Sequence, residues 1–259
     1  MRQLILCLLL TAAAQAQPGQ HGQFHGCSYT AVRVDPRSRQ IDLVTSGRTA
    51  RGWGSRYLPL EKIPADCSVA LNGTFFSLKY CQPAGPLIYD QGRKRWTPNF
   101  KRAYNGQDKP VSGLNRAFLA VFKDGRVKIG HSQGRSAEQL VEPGLACLLG
   151  GGGQLLEEGR VALQLAQEGF DERSGLRPEA AVPRTGVGLD GQGQLWLVTA
   201  GLEGGAGLSL TDFAQLLRKL GARQAMFLDC GSSTAMRVGP WQRSQGRALP
   251  TWLVVRWLP

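Results

Sequence analysis

Short stretches of alternating or continuous apolar positions, bounded by Gly, Pro and acid or amide turns, run along most of the chain and predict many strands. Residues 29–34 and 40–45 flank Asp35-Pro36-Arg37 and are expected to pair. Residues 68–72 form a brief apolar run that ends at Gly73. Residues 117–122 and 126–130 flank Lys123-Asp124-Gly125, a hairpin signal, and residues 185–189 and 194–200 flank a second one at 190–193. Residues 145–149 run into the glycines 150–153 and on into 154–158, and strands over 225–229, 235–238 and 251–257 complete the set. One helix is clear: Ser209 and Asp212 have N-cap spacing, Leu210, Phe213, Ala214, Leu216, Leu217 and Leu220 share a face, and Gly221 ends it. A shorter helix is expected over 137–141. Without a regular βαβ alternation, the fold class is α+β: one domain dominated by mixed or antiparallel β-sheet, with few helices.

The N-terminus departs from this pattern. Arg2, an apolar run from Leu4 to Leu10 and Ala14-Gln15-Ala16 make residues 1–16 read as a secretory signal peptide with cleavage near Ala16. The run is too short to cross a hydrocarbon layer of ~30 Å, and no later stretch reaches the required length. The mature protein is therefore expected to be soluble, without a membrane span, and secreted or periplasmic. Residues 17–27 read as a flexible tail, leaving 28–259 as the domain. His21 and His25 in that tail have a spacing that could grip a metal beside Cys27, although a mobile tail is the simpler reading. Export permits disulfides. Once Cys7 leaves with the signal, Cys27, Cys67, Cys81, Cys147 and Cys230 remain, and a Cys67–Cys81 bridge is the first expectation. No C-x-x-C occurs, so a zinc ribbon or thioredoxin-like site has no support.

Composition narrows the class of function. With 42% hydrophobic residues the chain can fill a core, and its 34 Gly and 14 Pro show no triplet period, which excludes disorder and collagen. The net charge is +12, and arginine supplies 23 of the 31 basic residues, which favours anionic partners such as phosphates. Residues 91–116 concentrate that charge: Arg93, Lys94, Arg95, Lys101, Arg102, Lys109 and Arg116, with Trp96, Phe100 and Tyr104 interleaved. Such a loop suits a carbohydrate-phosphate cleft or single-stranded nucleic acid, or it is a solvated loop.

Four segments share one design, in which a strand gives way to glycine and small hydroxyl or amide residues. They are Asn72-Gly73-Thr74-Phe75-Phe76, Leu149 with Gly150–Gly153, Arg184-Thr185-Gly186-Val187-Gly188, and Leu228-Asp229-Cys230-Gly231-Ser232-Ser233-Thr234. Glycine lets backbone N–H groups approach an anion, and the polar side chains add directional hydrogen bonds. Each segment alone also fits an ordinary turn. A Ser-His-Asp hydrolase is disfavoured, because His131 is the one histidine outside the tail and no G-x-S-x-G occurs.

Taken together and in order, with Gly207-Leu208-Ser209-Leu210-Thr211 ahead of the helix and Gly246-Arg247-Ala248-Leu249-Pro250 before the last strand, these segments resemble the phosphodiester glycosidase domain family. Two positions depart from its pattern: Cys230 follows Asp229 where the family has glycine, and Gly186 stands where alanine is more usual. The resemblance implies that residues 28–259 form a glycosidase-like domain that hydrolyses a sugar-1-phosphodiester. It further implies Asp229 as the carboxylate near the anomeric carbon, Arg184 as the charge on phosphate and Asn72 as an orienting group. Gly73, Thr74, Gly151, Gly152, Thr185, Gly231, Ser232, Ser233 and Thr234 would contact substrate. The partner expected is a sugar phosphate or phosphate-linked polysaccharide, with no specific nucleic acid. No ligand cluster for a cofactor is evident, and a divalent metal and the oligomeric state stay open. The alternative is a non-catalytic module that binds anionic glycan or nucleic acid through 91–116.

Overall fold

The computed structural model describes residues 19–46, 48–49, 52–53, 57–78, 81–98, 115–170, 174–203 and 206–257. The expected signal peptide, 1–16, and the centre of the basic loop, 99–114, lie outside these residues.

Two antiparallel sheets face each other. The main path of the larger runs Gln20–Phe24, Cys27–Val34, Leu195–Ala200, Arg184–Asp190, Ala222–Phe227, Leu145–Glu157, Ala117–Phe122, Val127–His131. The smaller runs Trp241–Ser244, Ala235–Val238, Cys67–Asn72, Thr251–Trp257, Arg39–Thr45. Period-two alternation assigns their side chains. Leu119, Leu149, Leu197 and Met226 of the larger sheet meet Ile41, Leu71, Met236 and Leu253 of the smaller one in the central layer. Each such buried side chain stabilises the fold by roughly 1.5–3 kcal/mol. The opposite faces are buried as well. The helix Leu210–Lys219 lays Phe213, Leu216 and Leu217 over Leu155, Val198 and Ala225, while Trp252 and Val254 pack with Phe76 and Leu60 beyond the smaller sheet. Burial on both faces explains why several strands read as continuous apolar runs.

The expected fold class, both hairpins and the helix are found, with the Ser209 hydroxyl accepting from the Asp212 amide at 3.0 Å. Among the described residues no helix is long and apolar enough to cross a membrane.

Other expectations are corrected. Residues 29–34 and 40–45 do not pair: Cys27–Val34 lies in the larger sheet and Arg39–Thr45 in the smaller, where all seven of its residues pair with Thr251–Trp257. No residue from 35 to 38 has the positive φ that a tight two-residue hairpin needs, so the turn carries the chain across the sandwich. Part of the expected tail is strand. Gln20–Phe24 pairs with Cys27–Val34 because His25 (φ 47°) and Gly26 (φ 74°) supply that left-handed turn. His21 and His25 take separate partners, Thr30 and Asp212, at 3.0 and 3.1 Å. Cys67 and Cys81 form no bridge; all five described cysteines are free thiols, and burial pushes Cys81 up to about 11. Cys67 joins the apolar cluster of Trp252 and Val254, and Cys81 is buried beside Ser46. The expected helix at 137–141 is a single 3-10 turn, Glu138–Leu140. The glycine run does not interrupt its strand: Leu145–Glu157 continues through it, bulged where Ala117 faces Gly152 and Phe118 faces Gly150.

Candidate active site

All four glycine-rich segments meet at one end of the sandwich, where Asn72 joins three of them and Gly151 approaches Thr74. Asn72, the last residue of the Cys67–Asn72 strand, is fully buried. Its Nδ2 donates to the carbonyl oxygens of Asp229 (2.8 Å) and Gly73 (3.3 Å). Its Oδ1 accepts from the Thr185 hydroxyl (2.7 Å) and the Ala235 amide (3.1 Å). Two donors and two acceptor positions are the whole capacity of an amide side chain. Asn72 therefore ties three segments together and retains no group for a ligand. Backbone bonds reinforce the junction, from Asp229 N–H to Gly73 O (3.2 Å) and from Leu228 N–H to Thr185 O (2.8 Å).

Asp229 stands at the centre of the junction and is 3% exposed. The Cys230 amide donates to its Oδ1 at 3.0 Å, whereas Oδ2 is buried without a hydrogen-bond partner among the described residues. Burial pushes its carboxyl up to about 6, against the opposing pull of the Ser233 hydroxyl, the Arg247 charge and the Cys230 amide. A carboxyl of this kind exchanges a proton close to neutral pH.

Unpartnered hydroxyls lie on the segments next to it. Thr74, Thr234 and Thr251 each bury an Oγ1 that has no partner among the described residues. Thr74 follows Gly73, Thr251 packs against Gly73, and Thr234 closes the 3-10 turn Gly231–Ser233 just after Asp229. Native proteins seldom bury unsatisfied polar atoms, and a group of them beside a raised carboxyl marks a place built for a polar ligand. Gly151 faces Thr74 with φ +97°, and a Cβ on it would lie 2.5 Å from Thr74 Oγ1. Gly152 lies as tightly against the Phe227 carbonyl. Ser232 is exposed at the rim, Gly231 is half-exposed, and Ser233 is buried beneath them.

Arg184 differs from its expected role as a free phosphate ligand. It is fully buried, and its guanidinium donates to the carbonyl oxygens of Leu208 (2.8 Å), Arg177 (2.6 Å) and Ala180 (2.8 Å). It fastens the 177–180 segment to the sheet, and its charge acts on the Cys230 thiol, which burial raises and Arg184 lowers. Thr185 is likewise buried and committed to Asn72.

Two charged residues near these segments escaped the sequence reading. Glu168 is fully buried beside Gly153; its Oε1 accepts from the Gln154 amide at 2.8 Å and lies 3.2 Å from His131 Nε2. Nothing in the local sequence marks it. Arg247 reaches Ser233 Oγ at 3.3 Å, and its signal was present in the Gly246–Pro250 segment.

Comparison with known proteins agrees with the geometry. The profile of the phosphodiester glycosidase family matches residues 65–256. The catalytic domain of zebrafish N-acetylglucosamine-1-phosphodiester alpha-N-acetylglucosaminidase, auto-inhibited by its pro-peptide, is similar in structure: TM-score 0.68, 19% identity, 92% of this chain and 81% of that one. A hypothetical protein from Synechocystis gives TM-score 0.64 at 19% identity over 93% of this chain, which spans 61% of that protein's length. A protein from Burkholderia pseudomallei described as exported gives TM-score 0.50 at 15% identity, covering 90% of this chain and 74% of that one. Likeness at such identities concerns the fold. No curated protein matched the sequence.

Proposed function

The chain belongs to the phosphodiester glycosidase family, and from that membership we propose that it is an exported hydrolase cleaving a sugar-1-phosphodiester in a glycoconjugate or in an envelope or extracellular polysaccharide. The observation that carries the proposal is Asp229: a buried carboxyl with one unpartnered oxygen, raised to about 6, near unpartnered hydroxyls where three strand ends meet the bulged strand Leu145–Glu157. Hydrolysis breaks the bond between the anomeric carbon and the phosphate oxygen. Water supplies hydroxyl to the sugar and its proton to the departing phosphomonoester. An oxocarbenium-like centre needs a carboxylate on one side, and Asp229 supplies it, as nucleophile or as base toward water. A phosphomonoester is a good leaving group, so positive charge matters more than a strong general acid. Thr74, Ser233 and Thr234 donate hydroxyl hydrogen bonds to the bound sugar phosphate. Asn72 and Arg184 are positioning residues that hold Asp229 and the neighbouring wall. Export rests on the leader pattern of residues 1–16.

The test is a screen of purified protein against sugar-1-phosphodiesters, reading free sugar and phosphomonoester. Release of both supports the proposal. Tight binding of an anionic glycan with no cleavage of any diester would instead make the protein a binding module working through residues 91–116. N-terminal sequencing of exported material should begin at or near Gln17.

A further inference from the structure

Resting on that reading, we infer that Arg247, which bonds Ser233 in the turn that follows Asp229, is the guanidinium that receives the substrate's phosphate. Several well-placed arginines near the site are committed elsewhere. Arg184 donates to three backbone carbonyls, Arg237 to those of Ile63, Pro64 and Cys67, and Arg116 to those of Glu168 and Gly151 while stacking on Phe170 at 4.1 Å. Arg247 is half-exposed. Its hydrogen bond among the described residues is the 3.3 Å contact from Nη1 to Ser233 Oγ, and no carboxylate there pairs with it. A guanidinium carries five N–H donors, so most of its fork is available.

Its position is fixed from both sides. Gln245 N–H donates to Thr234 O (3.0 Å), and Leu249 pairs with Leu58 through hydrogen bonds in both directions. Arg247 is thereby held over the turn that carries Ser233. On its outer side it lines a cavity of about 320 Å³ together with Pro59, Leu60, Glu61, Arg243 and Gly246. On its inner side its charge acts on Asp229, whose free oxygen is buried. Arg247 thus lies between the cavity and the turn Gly231–Ser233 that follows Asp229. A sugar phosphate that seats its phosphate on the guanidinium directs its anomeric carbon toward the carboxylate. Charge develops on the phosphate oxygen as the glycosidic bond breaks, and a guanidinium fork stabilises it there. The outer cavity leaves room for the second phosphate substituent, the aglycone.

The experiment compares full-length wild type, Arg247→Gln and Arg247→Lys. It measures thermal stabilisation by inorganic phosphate and kcat/KM on a sugar-1-phosphodiester. Phosphate should stabilise the wild type and lose that effect in Arg247→Gln, with kcat/KM falling by about 100-fold. Arg247→Lys keeps the charge without the fork and should fall between the two. Its intermediate value guards against misreading a poorly folded glutamine variant. Phosphate binding in Arg247→Gln equal to wild type overturns the inference, even if the pH profile moves, because Arg247 would then act only through Asp229. Failure of phosphate to stabilise the wild type also overturns it. A wild type that cleaves no diester, yet binds phosphate through Arg247, sinks the proposed hydrolysis and leaves the anion seat standing.

Discussion

Asn72 and Asp229 stand 157 positions apart in the chain, yet the Asn72 side chain donates to the Asp229 carbonyl oxygen at 2.8 Å. The bond fixes the main chain at Asp229 and leaves its carboxyl free to act. It also spans the sandwich, since Asn72 ends a strand of the smaller sheet and Asp229 follows a strand of the larger.

Asn72→Ala should therefore act first on stability. It strands the Thr185 hydroxyl and the Ala235 amide in a buried place and releases the Asp229 carbonyl. Leaving such groups unsatisfied costs about 1–3 kcal/mol each, so a total loss of a few kcal/mol is expected in urea unfolding. Turnover should fall with it, through misplacement of Asp229. A variant with wild-type stability would contradict the junction described here.

Asp229→Asn keeps the shape and the acceptor for the Cys230 amide but cannot ionise. Cleavage of sugar-1-phosphodiesters should drop by roughly 100-fold or more, the range for loss of a positioned acid or base. Wild-type turnover in the folded variant would remove Asp229 from the chemistry.

Much of this was legible in the sequence, and what was not has physical causes. Strands covered on both faces still announce themselves as apolar runs, and Ser209 with Asp212 marks its helix start by local chemistry alone. Which strands pair is a non-local matter, so Asp35-Pro36-Arg37 resembled a hairpin turn although it crosses between sheets. The polar segments were found because their residue types are unusual at strand ends. Their division of labour was hidden, because an arginine that binds phosphate and one that binds carbonyls are the same letter. Burial separates Arg184 from Arg247, and burial exists only after folding.

Gly151→Ala tests the glycine that faces Thr74. The residue sits at φ +97°, where an L side chain is strained, and its Cβ would press on Thr74 Oγ1 and on the Gly85 backbone at 2.9 Å. The strain alone costs about 1–2 kcal/mol, and the close contacts add to it. Displacing Thr74 should also raise KM. Gly159→Ala, also at positive φ (+77°) but with open space around its Cβ, is the control. It should lose stability without a change in KM. Equal kinetic effects from the two would mean that Gly151 serves the fold alone.

Stability should also report the ionisation of Asp229. Burial raises this carboxyl from an ordinary 3.8 to about 6. Between those values the folded protein holds a proton that the unfolded chain has released. The folded state therefore loses stability as pH rises through this window, the reverse of a salt-bridged aspartate. The rise from 3.8 to about 6 corresponds to roughly 3 kcal/mol, fully expressed above about pH 6. Asp229→Asn carries no such charge, and other titrating groups cancel when the two proteins are compared at each pH. Relative to wild type, the variant should gain about 2 kcal/mol on going from about pH 4 to pH 8 in urea unfolding. A difference that stays flat across the range would mean that the carboxyl titrates as in the unfolded chain. A difference that shrinks as pH rises would mean that the ionised form has a partner in the folded protein, and that Asp229 is held as an anion before any substrate arrives.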